Sequence, residues 1–253
     1  YDYNKKYYIQ KRVEKRAEAL KMGSLNEYYY MLKFSSDSSE FEKLINELTV
    51  NETYFFRDFP QLRNFAEDVL PVVIREKKNN KKIKVWSAAC STGEEPYTLS
   101  IIFQEMLDKP EEWEIQIIAS DINTEVLEFA KIGLYESRAV KDVPPEYLEK
   151  YFTKYNDKYL VNLNVRKPVV FKRINLVSEN EINTVNGCDF IFCRNCLIYF
   201  DDESRRNVVD SLYEALNPGG FIFLGHSESV GRISPAFKVQ RIGDTIVYSK
   251  PND

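Results

Sequence analysis

The loop Cys90–Gly93 is the first candidate for a site that holds a nucleoside cofactor. It contains no bulky side chain and follows a short predicted strand in which Ile83, Val85 and Trp86 are apolar. Glu94, Glu95 and Pro96 come next and suit the first turn of a helix, where carboxylates oppose the positive end of the helix dipole. Strand, small-residue turn and helix N-terminus predict the first unit of an open α/β sheet, in which ligands bind at the carboxyl ends of the strands.

The carboxylate of Asp121 is the second candidate group. It directly follows the apolar run Ile115–Ser120, which has the composition of a second buried strand. An acid at the end of the second strand of such a sheet is placed to hold ribose hydroxyls. A single acid could also be a structural helix cap. The order of strand, loop and acid together favours a nucleoside site.

The single glycine of this loop, Gly93, distinguishes between two nucleoside cofactors. A dinucleotide carries a pyrophosphate, and its site needs several glycines that let backbone N–H groups approach the phosphates. S-adenosylmethionine has no phosphate but offers a sulfonium, an ammonium and a carboxylate. A small-residue loop with Glu94 for the ammonium and Asp121 for the ribose suits this cofactor better than NAD. We therefore expect methyl transfer.

The elements that must position these residues follow two different patterns. Residues 1–77 have helical periodicity, and residues 78–253 alternate strands and helices, which is typical of a parallel sheet. Within the second part we predict a small antiparallel β-subdomain, about 153–174, as a hairpin of Asp157–Leu163 with Val169–Ile174. The apolar run Cys188–Cys193 suits the sheet centre. Two C-terminal runs flank Gly243-Asp244, a hairpin turn signal that fits a methyltransferase-type sheet.

Composition and charge limit the classes of function. The chain is 43% hydrophobic and 29% charged, as globular domains are, and no apolar run approaches the roughly 20 residues of a membrane span. The net charge of −4 argues against an extensive nucleic-acid surface, although residues 1–22 carry +4 and the rest −8. The N-terminal residues lack the apolar core of a secretion signal, and the few, unevenly placed cysteines point to a reducing compartment. We expect a cytoplasmic protein without membrane insertion.

The spacing of Cys193 and Cys196 could indicate a redox pair or half of a zinc site. A zinc site needs a second pair or nearby histidines, and the only histidine is His226. Burial of small side chains at a strand end explains the pair more simply. We expect no metal.

Several motifs, in this order, resemble those of the CheR-type chemotaxis receptor methyltransferases. The resemblance runs over nearly the whole chain and includes a helical N-terminal domain, a linker and a β-subdomain inserted in the α/β domain. It implies the class I S-adenosylmethionine-dependent methyltransferase fold. It also implies that glutamate side chains on the cytoplasmic helices of chemoreceptors become methyl esters. The motifs are Asn51–Arg57 (NETYFFR), Ala88–Tyr97 (AACSTGEEPY), Ala119–Ile122 (ASDI), Cys193–Asn195 (CRN), Ile198–Asp201 (IYFD), Leu216–Gly220 (LNPGG) and Gly225–Ser229 (GHSES).

The resemblance also implies roles for particular residues. Asn51, Thr53 and Arg57 would reach the cofactor from the linker, and Ala89 and Gly93 would line the loop beneath it. Glu94 would contact its methionine portion and Asp121 its ribose. The remaining implied contacts are Asn175 and Leu176 beside the adenine, Asn195 and Cys196 near the sulfonium, and Tyr199 at the transfer centre.

The chemistry itself requires little of the protein. A glutamate carboxylate, with a pKa of about 4.3, is already ionised near neutral pH and can attack the methyl group without a general base. The rate must then come from alignment and electrostatics, and we predict Arg57 as the group that holds a carboxylate and Tyr199 as the group that orients the attacking oxygen. His226 is expected to pack or cap rather than to catalyse. S-adenosylhomocysteine would be the product.

The basic side chains of the first helix suggest how a receptor could dock. Lys11, Arg12, Lys15 and Arg16 are predicted to lie away from the apolar stripe of this helix and to contact the acidic helical methylation region of a chemoreceptor. A merely solvated face is the alternative. We expect a monomer. Two further alternatives stay open, namely a methyltransferase for RNA or a small molecule and a non-catalytic cofactor-binding scaffold in a signalling array.

Overall fold

The N-terminal residues form three helices. The computed structural model describes residues 6–228, 234–242 and 245–252. Helices α1 (Lys6–Ala19), α2 (Leu25–Phe34) and α3 (Ser39–Leu48) pack around the buried side chains of Ala17, Tyr28 and Leu44. The sequence predicts an apolar stripe of Ile9, Val13, Ala17 and Leu20 on α1. The observed stripe is shorter, because Leu20 lies past the helix end and is exposed.

The next helical segment packs on the sheet and not with the first three helices. Helix α4 (Phe59–Asn64) continues through a wide π turn, Phe65–Val69, into α5 (Leu70–Glu76). Pro71 has no N–H to complete the α pattern, and a wide turn accommodates such a residue. The buried ring of Phe65 lies 5.0–5.4 Å, centroid to centroid, from three aromatic rings of the sheet. The predicted grouping of residues 59–76 with the N-terminal helices therefore differs from the observed packing.

The main sheet has seven strands in the order β6-β2-β1-β7-β8-β10-β9. The first five of these are parallel, and β10 and β9 form an antiparallel hairpin at the edge. Strand β7 is central and buried at every position, as predicted. The terminal hairpin is confirmed, although its predicted turn, Gly243-Asp244, lies outside the described residues. The strands are β1 (Lys82–Ala88), β2 (Glu114–Asp121), β6 (Val169–Arg173), β7 (Cys188–Cys193), β8 (Leu216–Leu224), β9 (Lys238–Ile242) and β10 (Thr245–Ser249).

The remaining helices connect these strands. The predicted helix after Gly93 is confirmed as α6. Within the described ranges, no helix is both long and apolar enough to cross a bilayer. The bounds are α6 (Glu94–Met106), α7 (Thr124–Ile132), α8 (Pro145–Tyr151), α9 (Leu163–Arg166), α10 (Glu179–Ile182) and α11 (Asp202–Ala215).

The predicted hairpin of the β-subdomain is wrong in its pairing. Strand β5 (Lys158–Val161) pairs with β4 (Phe152–Tyr155) and β3 (Leu134–Glu136) in a separate antiparallel sheet. Val169–Arg173 instead extends the main sheet beside β2. The turn that joins β4 to β5 is Asn156-Asp157, in which Asn156 takes the left-handed conformation (φ 56°) that tight hairpins favour. The small sheet thus spans 134–161 rather than 153–174.

Candidate active site

The linker between the helices and the sheet is held by its aromatic residues. Phe55 is fully buried and packs edge-on against Tyr135 and Phe152 at 4.8 and 5.0 Å between ring centroids. The Phe56 amide N–H donates to Thr98 Oγ1 at 3.2 Å. Phe56 and Asp58 are left-handed, with φ of 57° and 64°, and such non-glycine residues cost about 1–3 kcal/mol each. The segment is therefore strained and firmly anchored.

The loop after β1 is shaped by backbone hydrogen bonds. The N–H of Cys90 donates to the carbonyl of Ser120 at 2.8 Å, and Ser91 donates to Asp121 Oδ2 at 2.9 Å. Ala89 and Ser91 have φ of 60° and 50°, so the chain turns back sharply at the end of the strand. The loop consequently lies against the end of β2.

Asp121 is a buried carboxylate at the carboxyl end of β2. Its Oδ1 accepts the N–H of Asn123 at 2.9 Å while Oδ2 accepts that of Ser91. Desolvation raises the pKa of Asp121 above its ordinary value, and the backbone hydrogen bonds act in the opposite direction. The carboxylate is fixed in orientation and borders the cavity described below.

One cavity of about 560 Å³ lies at the carboxyl edge of the sheet, and helix α3 forms one wall. This volume lies within the range typical of small-molecule sites. Ten of the predicted site residues line it, from the linker, the loop, Asp121 and the segments after β6 and β7. These are Asn51, Thr53, Arg57, Ala89, Asp121, Asn175, Leu176, Asn195, Cys196 and Tyr199.

Gly93 and Glu94 do not line this cavity. Gly93 is left-handed (φ 93°), and a Cβ there would lie 2.8 Å from Ala130 Cβ, so packing against α7 explains the glycine. The carboxylate of Glu94 is buried and accepts the Thr92 hydroxyl at 2.6 Å. Burial raises the pKa of Glu94 to about 7. The geometry does not support the predicted contact of Glu94 with the cofactor.

Glu95 is the acid of this helix that reaches the cavity wall. Its Oε1 accepts the hydroxyl of Ser87 at 2.7 Å, and its Oε2 lies 3.3 Å from Arg194 Nη1. Sequence reasoning did not assign a role to Glu95 or Arg194, although the Glu-Glu pair and the motif Cys193-Arg194-Asn195 contained them. Neighbouring helix residues face different directions, and only the helix phase decides which acid faces the site.

The segments after β6 and β7 form the opposite walls. Asn175 donates its N–H to Glu181 Oε2 at 2.8 Å, and the left-handed Asn195 (φ 57°) donates to Glu228 Oε2 at 2.8 Å. Desolvation is the largest cause that raises the pKa of Tyr199. Asn175 and Asn195 are thus held by carboxylates from outside the cavity.

The four cysteines are free thiols, and three of them are buried. Cys196 lies in the cavity wall and hydrogen-bonds Cys193, which together with burial raises the pKa of the Cys193 thiol well above its ordinary value. In the part of the chain that the structure describes, no group of three or more His, Cys, Asp or Glu is arranged to hold a metal ion. His226 is exposed, and its Nε2 lies 2.7 Å from Asp58 Oδ1.

The basic residues of α1 do not form one open face. Arg16 is largely buried and pairs with Glu40 through Nε and Nη2 at 2.8 and 2.6 Å. Lys15 pairs with Glu47, and Arg12 donates to the carbonyl of Glu47. The geometry does not support the predicted contact of Arg16 with a receptor, because this side chain holds α1 to α3.

Comparison with known proteins identifies the family. The sequence model described as "CheR methyltransferase, SAM binding domain" matches residues 51–245, and "CheR methyltransferase, all-alpha domain" matches residues 1–49. The chain belongs to the CheR methyltransferase family. The family carries out S-adenosylmethionine-dependent methyl transfer, so the predicted fold class and activity are confirmed.

Three chemotaxis protein methyltransferases are similar to this chain over most of their length. Chemotaxis protein methyltransferase 2 of Vibrio cholerae is 44% identical over 100% of this chain and 88% of its own length. The chemotaxis protein methyltransferases of Salmonella typhimurium and Escherichia coli are 34% and 33% identical, over 99% of this chain and 84% and 85% of theirs. A solved glycopeptide N-methyltransferase, MtfA, complexed with S-adenosylhomocysteine, matches with a TM-score of 0.37 and 15% identity over 71% of this chain and 58% of its own.

The cavity of this CheR family member fits S-adenosylmethionine. Asp121 and Glu95 present carboxylates to it, which suits ribose hydroxyls and a cationic end. The apolar side chains of Ile122, Ile174 and Leu176 suit a nucleobase. The turn at Gly93, closed by Ala130 and Tyr135, leaves no glycine-rich cradle for a pyrophosphate.

Proposed function

We propose that this protein transfers the methyl group of S-adenosylmethionine to glutamate carboxylates on the cytoplasmic helices of chemoreceptors. The products would be glutamate methyl esters and S-adenosylhomocysteine. The observation that carries the proposal is one cavity in which the anchored linker, the loop after β1 and the buried Asp121 converge in a CheR family chain. The named relatives are chemotaxis methyltransferases, which supports a chemoreceptor substrate.

The cofactor would be held by groups on three sides of the cavity. Asp121, fixed by the N–H groups of Ser91 and Asn123, would accept the ribose hydroxyls. Glu95 would face the cationic amino-acid end in place of Glu94. The other proposed contacts are Asn51 and Thr53 from the linker, Ala89 from the loop, Asn175 and Leu176 beside the adenine, and Asn195 and Cys196 near the sulfur.

Arg57 is the proposed ligand for a carboxylate. One of its five N–H donors binds the carbonyl of Glu52 at 2.6 Å, which leaves a planar fork available for a bidentate partner. The cofactor supplies a methyl group on a cationic sulfur. Arg57 and Tyr199 would orient the attacking glutamate oxygen toward that methyl group, and this alignment is the main contribution of the protein. No proton needs to be removed from an ionised carboxylate.

The receptor would approach over helix α1. Lys11 is exposed, Lys15 is an exposed partner of Glu47, and Arg12 is half-buried, so these three side chains remain candidates for contact with an acidic helical bundle. We also propose a monomer in the cytoplasm that contacts neither nucleic acid nor the bilayer and carries no metal.

A labelled-methyl assay tests this function. The protein is incubated with S-adenosylmethionine labelled in the methyl group and a purified cytoplasmic fragment of a chemoreceptor. Volatile methanol released by base is the expected result, since carboxyl esters hydrolyse readily. Base-stable label would indicate N- or C-methylation of another substrate, and binding of S-adenosylhomocysteine without transfer of label would indicate a non-catalytic scaffold.

A further inference from the structure

Arg194 is a buried cation that joins the linker to the sheet. Its side chain is only 4% exposed and lies between two carboxylates, Asp58 on the linker and Glu95 on α6, each at 3.3 Å. Its Nη2 also donates to the carbonyl of Arg57 at 2.8 Å. One guanidinium therefore hydrogen-bonds Glu95 and the Arg57 carbonyl and forms an ion pair with Asp58, so it joins two separate parts of the site.

The backbone that Arg194 contacts is strained. Arg57 stands between Phe56 and Asp58, both left-handed without being glycine. Such conformations persist only where surrounding contacts over-determine them. The hydrogen bond from the Phe56 N–H to Thr98 fixes the backbone before Arg57. Arg194 fixes the backbone after it through the Arg57 carbonyl and the Asp58 carboxylate.

The charges around Arg194 determine which substitutions of this residue the site can tolerate. Asp58 and Glu95 are both largely buried, so removal of the cation leaves two carboxylates that repel each other. His226 reaches Asp58 only from the solvent side, where its own side chain is 80% exposed. A lysine would keep the charge but could not contact all three groups at once, because only arginine presents several donors in a planar fork.

We infer that Arg194 is a positioning residue that holds Arg57 in the conformation needed for methyl transfer. It acts on the linker backbone, and its effect on the reaction passes through the Arg57 side chain. The inference rests on the proposed role of Arg57 at the transfer centre. It predicts that loss of the Arg194 contacts loosens residues 55–58 and lowers turnover while the N-terminal helices stay folded.

The test is a double-mutant cycle of Arg194→Lys with Arg57→Ala. The rate of methyl transfer is divided by the concentration of competent sites, which calorimetric titration with S-adenosylhomocysteine gives. Arg194→Lys alone should lower kcat/KM for the receptor fragment about tenfold or more, mainly through kcat. In the Arg57→Ala background the same change should cost less than about twofold, because its target is absent. Arg63→Lys is the matched control, since Arg63 on helix α4 is exposed and pairs with Glu67 in the following π turn. Equal losses in both backgrounds, or no loss in the first, would overturn the inference.

Hydrogen exchange supplies a second readout that does not depend on the receptor. Arg194→Lys should speed amide exchange in peptides that cover residues 55–58 and leave those of α1–α3 unchanged. Unchanged exchange at 55–58 would overturn the inference even if the proposed substrate is wrong. If Arg194→Lys does not fold, Asp58→Asn removes one of the three contacts and tolerates the left-handed backbone. Asp58→Asn should lower kcat/KM less than Arg194→Lys does, and this loss should also shrink in the Arg57→Ala background. A loss of equal size in both backgrounds would contradict the inference.

Discussion

At the scale of single residues, the most informative side chain is Asp121. Both of its carboxylate oxygens already accept backbone N–H groups, so its position does not depend on the cofactor. This preorganisation explains how one carboxylate could recognise a ribose. Its location could be predicted from the sequence because an acid directly after a buried strand is a local pattern.

Substitution of Asp121 by Asn should weaken S-adenosylhomocysteine binding. The substitution removes the negative charge and places an NH2 group opposite a backbone N–H donor. We expect the affinity for S-adenosylhomocysteine to fall about 10- to 100-fold, or about 1.4–2.7 kcal/mol of binding free energy. Calorimetric titration measures this change. Asp189→Asn is the matched control, since Asp189 is a buried acid that binds the Lys84 N–H and Asn217 away from the cavity. Equal affinity in wild type and Asp121→Asn would exclude Asp121 as a cofactor ligand.

Glu94 should make the stability of the fold depend on pH. Burial raises the pKa of Glu94 to about 7 from an ordinary 4.5, so the protonated form is favoured in the folded state. The stability from this group is fully present below pH 4.5 and is lost as the pH rises to about 7, with a maximum of about 3 kcal/mol. Glu94→Gln should therefore raise Tm at pH 8 by about 5 °C and leave it nearly unchanged at pH 5.

The control for this comparison is Glu111→Gln, an exposed glutamate near the start of β2. Its effect on Tm should be similar at both pH values. An equal effect of Glu94→Gln at pH 5 and pH 8 would show that Glu94 titrates as an exposed acid does. Titration of the same variant with S-adenosylhomocysteine tests the predicted contact of Glu94 with the cofactor. A large loss of affinity would support that contact.

At the scale of elements, helix α1 has two sets of basic side chains in different environments. Arg16 lies inside the helical domain, where its double contact with Glu40 is completed by the hydroxyl of Tyr28. That pairing lowers the pKa of Glu40 and raises that of Arg16. Lys11 and Lys15 are exposed. Charge reversal at Arg16 would thus damage folding and could not report on docking.

Charge reversal at Lys11 and Lys15 together tests the docking face. The exposed pair of Lys15 with Glu47 contributes little to stability, so the helix should stay folded. We expect the KM for the receptor fragment to rise about tenfold at low ionic strength and the effect to shrink as salt screens it. Steady-state methylation kinetics provide the measurement, with Lys82→Glu and Lys109→Glu, at the other end of the strands, as the control pair. An unchanged KM would exclude this face.

At the scale of the whole molecule, local features were predictable and long-range partners were not. The strand, loop and helix from Ile83 onward could be read from periodicity and capping residues because neighbours in sequence determine them. The pairing of Val169–Arg173 with β2 rather than with β5 depends on residues about fifty positions apart. The contacts of Arg194 with Asp58 and Glu95 span even longer separations, so no local pattern indicates them.

In the proposed mechanism, catalysis comes from the alignment of an acid that is already ionised, without a general base. The most direct test is the pH dependence of single-turnover methyl transfer to a chemoreceptor fragment at saturating S-adenosylmethionine. We predict a rate that is flat between pH 6 and pH 9 and falls only near the receptor glutamate pKa of about 4.3. A rate that rises between pH 6 and pH 9, and that loses this rise in His226→Gln, would contradict this mechanism by showing that a protein base takes part.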